Sequence, residues 1–338
     1  MKSTIAQSLF SLLSPAGPGG RLSILLFHKI PTVADSLATG EIDLARFDFI
    51  LDFLADNAHV MPLTEATVAL QAGTLPKGAM ALTFDDGYAE WIENVSPALR
   101  RRNLPATFYV TTGHLAGSAL WHERIIAAVR ALPDAGSALP HGVGAYPDLG
   151  LPGSRLRLVD ELQARLKYVA LAERIGAIEV LEAQACSAIS LPRPFDHASV
   201  RMLHSQGFDI GAHTVQHPIL TESTPAQARV EIGACKEELE AIIGARVRCF
   251  AYPNGRPNAD YGQEHVDMVK SLGYTSAVTT SNGAASRHAD LFQLPRFTPW
   301  GSSYGRMAFQ LARNMRTRPS LAETHNTFGK PVLNENLR

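Results

Sequence analysis

The strongest constraint on the fold of this chain is a pair of adjacent acids at the end of an apolar run. Residues 79–84 lie between Pro76 and Gly78 on one side and Gly87 on the other, with Asp85 and Asp86 directly before that glycine. A short apolar run bounded by turn residues reads as a buried strand. Asp85 and Asp86 therefore sit at its carboxyl end, where α/β folds gather their sites. Two carboxylates in that position repel unless a cation lies between them or one takes up a proton. Successive side chains of a strand point in different directions, so one acid can hold a cation while the other faces a reacting centre.

A second run follows the same grammar. Residues 207–212 read as a short strand with His213 at its end. Thr224, Pro225 and Gln227 then open a helix as N-cap, first helical residue and reciprocal capping partner, and Gly244 closes it. His213 and His217 thus bracket a strand-to-helix loop instead of lying along one helix face. A catalytic zinc takes three protein ligands and keeps one position open for water, and two His plus one Asp meet that count. Alone, Asp85-Asp86-Gly87 reads as a turn with a solvated acid pair, and His213 and His217 as surface or core histidines. Both at strand ends, in one chain of alternating strands and helices, point to a metal site.

The order along the chain supports a barrel. Phe47, Ile50, Leu51 and Leu54 recur at helical spacing, with Asp43 as a cap and Asn57 near the stop. A helix over 64–71 precedes the Asp85 strand, another ends near Asn103, and 106–110 reads as the next strand. Then the pattern breaks. Residues 132–154 are rich in Pro and Gly and read as a long loop, and 155–185 as one or two amphipathic helices. Residues 115–195 are therefore expected to be an insertion over the rim, a cover for substrate. Within it, Trp121 is a candidate to stack on the apolar face of a sugar ring, with a core tryptophan as the plain alternative. Alternation resumes with a helix over 198–205, the His213 strand, and strands near 247–252, 274–280 and 292–297. Beyond Gly301 the chain carries Arg306, Arg313, Arg316 and Arg318. That stretch is expected to form a short helix that closes the barrel or makes a peripheral membrane contact, with the last dozen residues disordered.

A length of 338 residues fits one large α/β domain with insertions, or two small ones. Hydrophobic content of 46% and charged content of 19% are ordinary for a soluble enzyme. The formal net charge of −1 argues against a nucleic-acid partner held by electrostatics. No stretch approaches the ~18–20 continuous apolar residues of a transmembrane helix. Cys186, Cys235 and Cys249 are odd in number and irregularly spaced, so they read as free thiols and not as a disulfide framework or zinc cluster. The apolar run after Lys2 is interrupted by Gln7, Ser8 and Ser11, a poor signal peptide, and a cytoplasmic location is expected.

These motifs resemble those of the polysaccharide deacetylase family (carbohydrate esterase family 4, the NodB-homology fold), in its bacterial exopolysaccharide-associated branch. Thr83-Phe84-Asp85-Asp86-Gly87 matches the first family motif and His213-Thr214-Val215-Gln216-His217 the second. Phe250-Ala251-Tyr252-Pro253-Asn254-Gly255 matches the third. Ser23-Ile24-Leu25-Leu26-Phe27-His28 and Leu294-Pro295-Arg296-Phe297 resemble the first and last barrel strands of exopolysaccharide members. The resemblance runs from about Leu22 to Phe297 and implies an α/β fold, a distorted (β/α)7-type barrel over 22–300 with a helical and loop insertion over the rim. An N-terminal extension (1–21) and a C-terminal helix and tail (301–338) would flank it. It implies Asp85 as general base, and Asp86, His213 and His217 as ligands of one divalent metal, Zn2+ ahead of Co2+ or Mn2+. It also places Tyr252, Pro253 and Asn254 beside the substrate, with the Asn254 backbone N–H helping to bind an oxyanion.

The chain departs from the family pattern at three points. Ala251 stands where many members carry an arginine that orients the catalytic Asp. Arg296, at another strand end, is the candidate replacement, with an ordinary surface arginine as the alternative. Asn254 stands where many members have Tyr, a change that a backbone donor survives. The histidine of the last motif, the usual general acid, is missing. His28, which ends the apolar strand over 22–27, is the best substitute, against a hydrogen-bonded structural role; His288, in a loop, is a poorer one. The implied activity is hydrolysis of carbon–nitrogen bonds in linear amides, the removal of N-acetyl groups from an amino-sugar-containing polysaccharide or oligosaccharide. Two alternatives stand beside it. One is a metal-free amidase of a non-sugar substrate, allantoinase-like, against which the intact ligand triad speaks. The other is a catalytically dead glycan-binding module, which the missing arginine and histidine favour.

Overall fold

The computed structural model of the protein describes residues 2–115, 117–134, 148–193 and 195–322. Its strands are β1 (Ser23–Phe27), β2 (His59–Val60), β3 (Ala79–Asp86), β4 (Thr107–Val110), β5 (Asp209–Ala212), β6 (Cys249–Ala251), β7 (Ser276–Val278) and β8 (Arg296–Phe297). They pair in the order β7-β6-β5-β4-β3-β1-β8, all in parallel. A bridge from Val278 to Leu294, just ahead of β8, ties the two ends together. The result is a nearly closed barrel of seven parallel strands, the distorted (β/α)7 form expected from the sequence. The short β2 adds to β3 at Ala79 and Met80, ahead of the stretch that pairs with β4.

Helices α1 (Lys2–Leu13), α2 (Leu44–Asn57), α3 (Leu63–Ala72), α4 (Ser96–Arg101), α5 (Trp121–Ala131), α6 (Ser154–Leu166), α7 (Leu171–Glu182), α8 (His197–Ser205), α9 (Pro225–Ile243), α10 (Gln263–Ser271) and α11 (Tyr304–Arg316) complete the described chain. Their starts follow the caps in the sequence. Asp43 accepts from the Arg46 amide at the head of α2, and Thr224 and Gln227 form a reciprocal capping box on α9.

The strands bury both faces, but different residues on each. Met80, Leu82 and Phe84 of β3 join Leu25 and Phe27 of β1 in the large core under the surrounding helices. Ala79 and Ala81 join Ile24, Tyr109, Ala251 and Val278 in a second cluster on the barrel's inner side, plugged by Leu63, Ala66 and Leu70 of α3. On β3 the inward residues are small (Ala79, Ala81) and the outward ones large (Met80, Leu82, Phe84), as the period of two along a strand allows. Gly211 of β5 is a case of this crowding: a Cβ there would lie 2.4 Å from the Tyr109 ring.

Strand ends differ from the sequence expectation in one instructive place. The last strand was expected from Phe292, yet it begins only at Arg296. Asp290 is the cause: its side chain accepts from the Phe292 amide and its carbonyl from the Gln293 amide, which turns the chain there. Between β4 and β5, α5, α6 and α7 pack on one another around Ile125, Val129, Leu158, Leu162 and Ile178, a small core of their own. The middle of the expected loop, 135–147, and the expected disordered end, 323–338, lie outside the described residues. At the other edge α1 inserts Ala6 and Phe10 into the large core and packs on α2 and α11.

Candidate active site

Alternation along β3 decides what its two acids face. Asp85 has the parity of Ala81 and Thr83 and turns toward the barrel interior. There Arg296 of β8, whose β1 partner is the inward Ile24, meets it with two parallel hydrogen bonds of 2.6 Å each. The guanidinium also donates to the Thr279 carbonyl at 2.9 Å and is fully buried. This is the fork geometry that arginine alone offers a carboxylate. Each Asp85 oxygen spends one acceptor site on it and keeps another.

Asp86 ends the strand with φ at 92°, a left-handed conformation that costs energy in a non-glycine residue. Its Oδ1 lies 3.5 Å from His213 Nε2 and 3.4 Å from His217 Nε2, and it is buried without a hydrogen-bond partner among the described residues. The β5 strand delivers His213. Its Nδ1 donates to the Ala251 carbonyl at 2.8 Å, which leaves the Nε2 lone pair facing Asp86. The loop carrying His217 turns through positive φ at Thr214 and His217. Glu231 of α9 holds it by accepting from the Val215 and Gln216 amides at 2.9 and 2.8 Å. One ligand atom from each of Asp86, His213 and His217 lies within 4.8 Å of the others, all three buried.

Electrostatics suit a cation at this point. Burial opposes ionisation of Asp86, but contact with His213 and the imidazoles of His217 and His28 nearby hold it well below the usual carboxylate range. Burial and the neighbouring His213 push His217 well below its ordinary value against the pull of Asp86, so its imidazole is neutral and free to ligate. For His213 burial is outweighed by Asp85 and Asp86, which raise it. An unpartnered carboxylate oxygen and two imidazole nitrogens converging on one buried point fit a divalent metal.

A family model described as polysaccharide deacetylase matches residues 72–145 and 157–277, more than half of the chain. The chain belongs to the polysaccharide deacetylase family. Among curated relatives, YxkH of Bacillus subtilis (strain 168), provisionally named a polysaccharide deacetylase, is 21% identical over 278 residues, covering 82% of this chain and 70% of the relative. Among solved structures, the deacetylase PplD of Streptococcus pyogenes in complex with acetate superposes with a TM-score of 0.59 at 20% identity, covering 88% of this chain and 99% of that one. IcaB from Ammonifex degensii gives a TM-score of 0.55 at 17% identity, covering 88% and 98%. At these identities the solved structures speak for the fold.

Around Asp86, His213 and His217 of this polysaccharide deacetylase domain opens a cavity of about 720 Å3, lined by Asp85, Asp86, His213, His217, His28 and Asn254 among others. His28 stands exposed on its rim, its carbonyl accepting from the Trp91 indole at 2.9 Å. Asn254 enters the wall with φ at 56°, and its carbonyl accepts from Thr280. Trp121 also lines the cavity, but the Arg174 guanidinium sits over its ring at 4.7 Å and the side chain packs against the core of α5, α6 and α7. Tyr252 and Pro253 were expected beside the substrate, and neither lines the cavity. Tyr252 has the outward parity of Phe250. It stacks on Tyr261 at 4.0 Å in the large core and donates its hydroxyl to the Phe292 carbonyl.

Two residues escaped the sequence reading. The Tyr88 hydroxyl donates to Asp86 Oδ2 at 3.1 Å, so it must accept from His122 Nε2 at 2.8 Å. This bond occupies one Asp86 oxygen and leaves Oδ1 for the shared point with the histidines. His122, pushed below its ordinary value by burial, lies at the start of α5, so the insertion reaches the ligand set through Tyr88. Its neighbour Glu123 pairs with Lys29, just past β1, at 3.2 Å. Tyr88 follows the first motif directly and was the readable signal. Nothing in the sequence brings His122 to it.

Proposed function

We propose that this protein is a metal-dependent N-deacetylase of an amino-sugar-containing polysaccharide or oligosaccharide. The observation that carries this reading is the division of the strand-end acids: Asp85 is clamped by Arg296 while Asp86 converges with His213 and His217. Asp86, His213 and His217 would hold the divalent metal, Zn2+ by its donor set with Co2+ and Mn2+ next. Such an ion supplies Lewis acidity toward the acetamide carbonyl and toward water.

The chain's own residues supply the proton chemistry. Asp85 keeps free acceptor sites beyond its two bonds to Arg296, and it takes the proton of the attacking water as general base. Arg296 fixes the direction of that carboxylate and needs no rearrangement during the reaction. The Asn254 backbone N–H, on the cavity wall, is the donor for the developing oxyanion. His28 on the rim gives a proton to the leaving amine, so that acetate and a free amino sugar result.

The reading of a catalytically dead glycan-binding module drew on the absent arginine at Ala251 and on the absent histidine of the last motif, and the structure bears on the first of these. Arg296 gives Asp85 a guanidinium from another strand, which removes that support. The deciding experiment measures metal content of the purified protein beside its His213→Ala variant, together with acetate release from N-acetylated glycans. About one ion per chain in the wild type, lost in the variant along with acetate release, is the expected result. A wild type that stays metal-free after reconstitution would overturn the mechanism and favour the metal-free amidase. Metal bound without acetate release from any N-acetylated glycan would favour the binding module.

A further inference from the structure

Away from the cavity, α11 presents a face of unusual composition that stays exposed among the described residues. Arg306, Phe309, Arg313 and Arg316 are exposed and spaced three, four and three residues apart, which places them in one stripe along the helix. Phe309 is 67% exposed between the arginines, and α11 contains no acidic residue. The opposite face, with Met307, Leu311 and Met315, is buried against the barrel. Arg306 finds only the neutral Ser302 hydroxyl, at 3.2 Å, and arginine–carboxylate pairs among the described residues are made elsewhere. In a chain of formal net charge −1 this stripe is a local excess of positive charge. Trp300, just ahead of the helix, is 65% exposed.

We propose that the α11 stripe docks the protein on an anionic phospholipid surface. A helix with a buried apolar face normally turns only polar groups to water. Here arginines flank a solvated aromatic, the pattern of an interfacial helix whose ring enters the headgroup region while cations meet lipid phosphates. The exposed Trp300 suits the same boundary, an apolar ring with one polar edge. A soluble polyanion without aromatic groups, such as heparin, would use the arginines and leave Phe309 idle. No helix among the described residues is long and apolar enough to cross a membrane, so the contact is peripheral. It also has a direction: Thr298 and Pro299 line the cavity and lead directly into Trp300, so docking brings that side of the cavity mouth to the lipid surface.

The test is co-sedimentation of the full chain with vesicles of phosphatidylcholine alone or of phosphatidylcholine with phosphatidylglycerol. Binding to the anionic vesicles only, weakened by added salt, is expected. Each arginine near such a surface strengthens binding roughly fivefold, so the triple variant Arg306→Gln, Arg313→Gln, Arg316→Gln should bind roughly a hundredfold more weakly. Phe309→Ala, which keeps every charge, should weaken vesicle binding and leave heparin binding unchanged. No binding to anionic vesicles, equal binding to neutral ones, an unchanged triple variant, or equal loss of heparin and vesicle binding in Phe309→Ala would overturn the proposal.

Discussion

Replacing Arg296 by methionine removes the guanidinium that holds Asp85 and leaves a stem of similar length. The arginine side chain is fully buried and the aspartate nearly so, with two bonds of 2.6 Å between them and a third to the Thr279 carbonyl. Breaking a buried pair by deleting one partner costs about 3–5 kcal/mol, because the surviving charge is stranded away from water. For a chain of 338 residues each kcal/mol shifts Tm by roughly 1.5 °C, so the variant should melt roughly 4–8 °C lower. Urea denaturation should show the same loss in midpoint with an unchanged slope. The double variant Asp85→Asn, Arg296→Met strands no charge and should recover most of that stability, while remaining inactive. Metal content should stay that of the wild type in both, since neither residue is among the three proposed ligands. A loss below about 1 kcal/mol, the worth of an exposed pair, would refute the clamp. So would a double variant as unstable as Arg296→Met alone.

Asp85→Asn by itself should abolish acetate release and keep the metal; loss of metal would mean that the roles of the two acids are reversed. Tyr88→Phe removes the bond that occupies Asp86 Oδ2, and metal affinity measured by chelator competition should fall roughly 10–100-fold. Unchanged affinity would reduce Tyr88 to a packing residue. Glu41, on the cavity wall, offers a pH test. Burial pushes its carboxyl up to about 8, Lys29 opposes, and Glu123, Glu90 and Asp35 add to the rise. The native state then holds a proton that the unfolded chain has lost, so stability falls as pH rises from about 4.5 to about 8, by up to about 1.4 kcal/mol per pH unit. Glu41→Gln should flatten denaturation midpoints across that window, and a wild-type slope retained in the variant would assign the pH dependence to other groups.

The cluster of Asp86, His213 and His217 was readable because it obeys local rules. An apolar run between turn residues gave β3, its end placed Asp85 and Asp86, and the same logic at β5 placed His213. Arg296 was readable as a strand-end residue, but only the pairing of β8 with β1 brings it inside the barrel. Tyr88 and His122 were not readable as a pair. They are 34 residues apart, and their meeting depends on how the insertion folds back over the rim. The error at Tyr252 was avoidable, since Phe250 and Tyr252 share an outward parity while Ala251 faces in with Cys249.

That parity also explains the missing arginine. An arginine at position 251 would share the barrel interior with Asp85, and Ala251 leaves that space empty of charge. Arg296 reaches the same interior from β8, on the far side of β1, and meets the carboxylate with the same fork. What the chemistry requires is a buried guanidinium in the plane of Asp85, and several inward positions of a closed ring of strands can supply one. A motif read along one strand records a single way of meeting that requirement. The departure at Ala251 is therefore no argument against catalysis, because the requirement is set by the carboxylate and not by the strand that serves it.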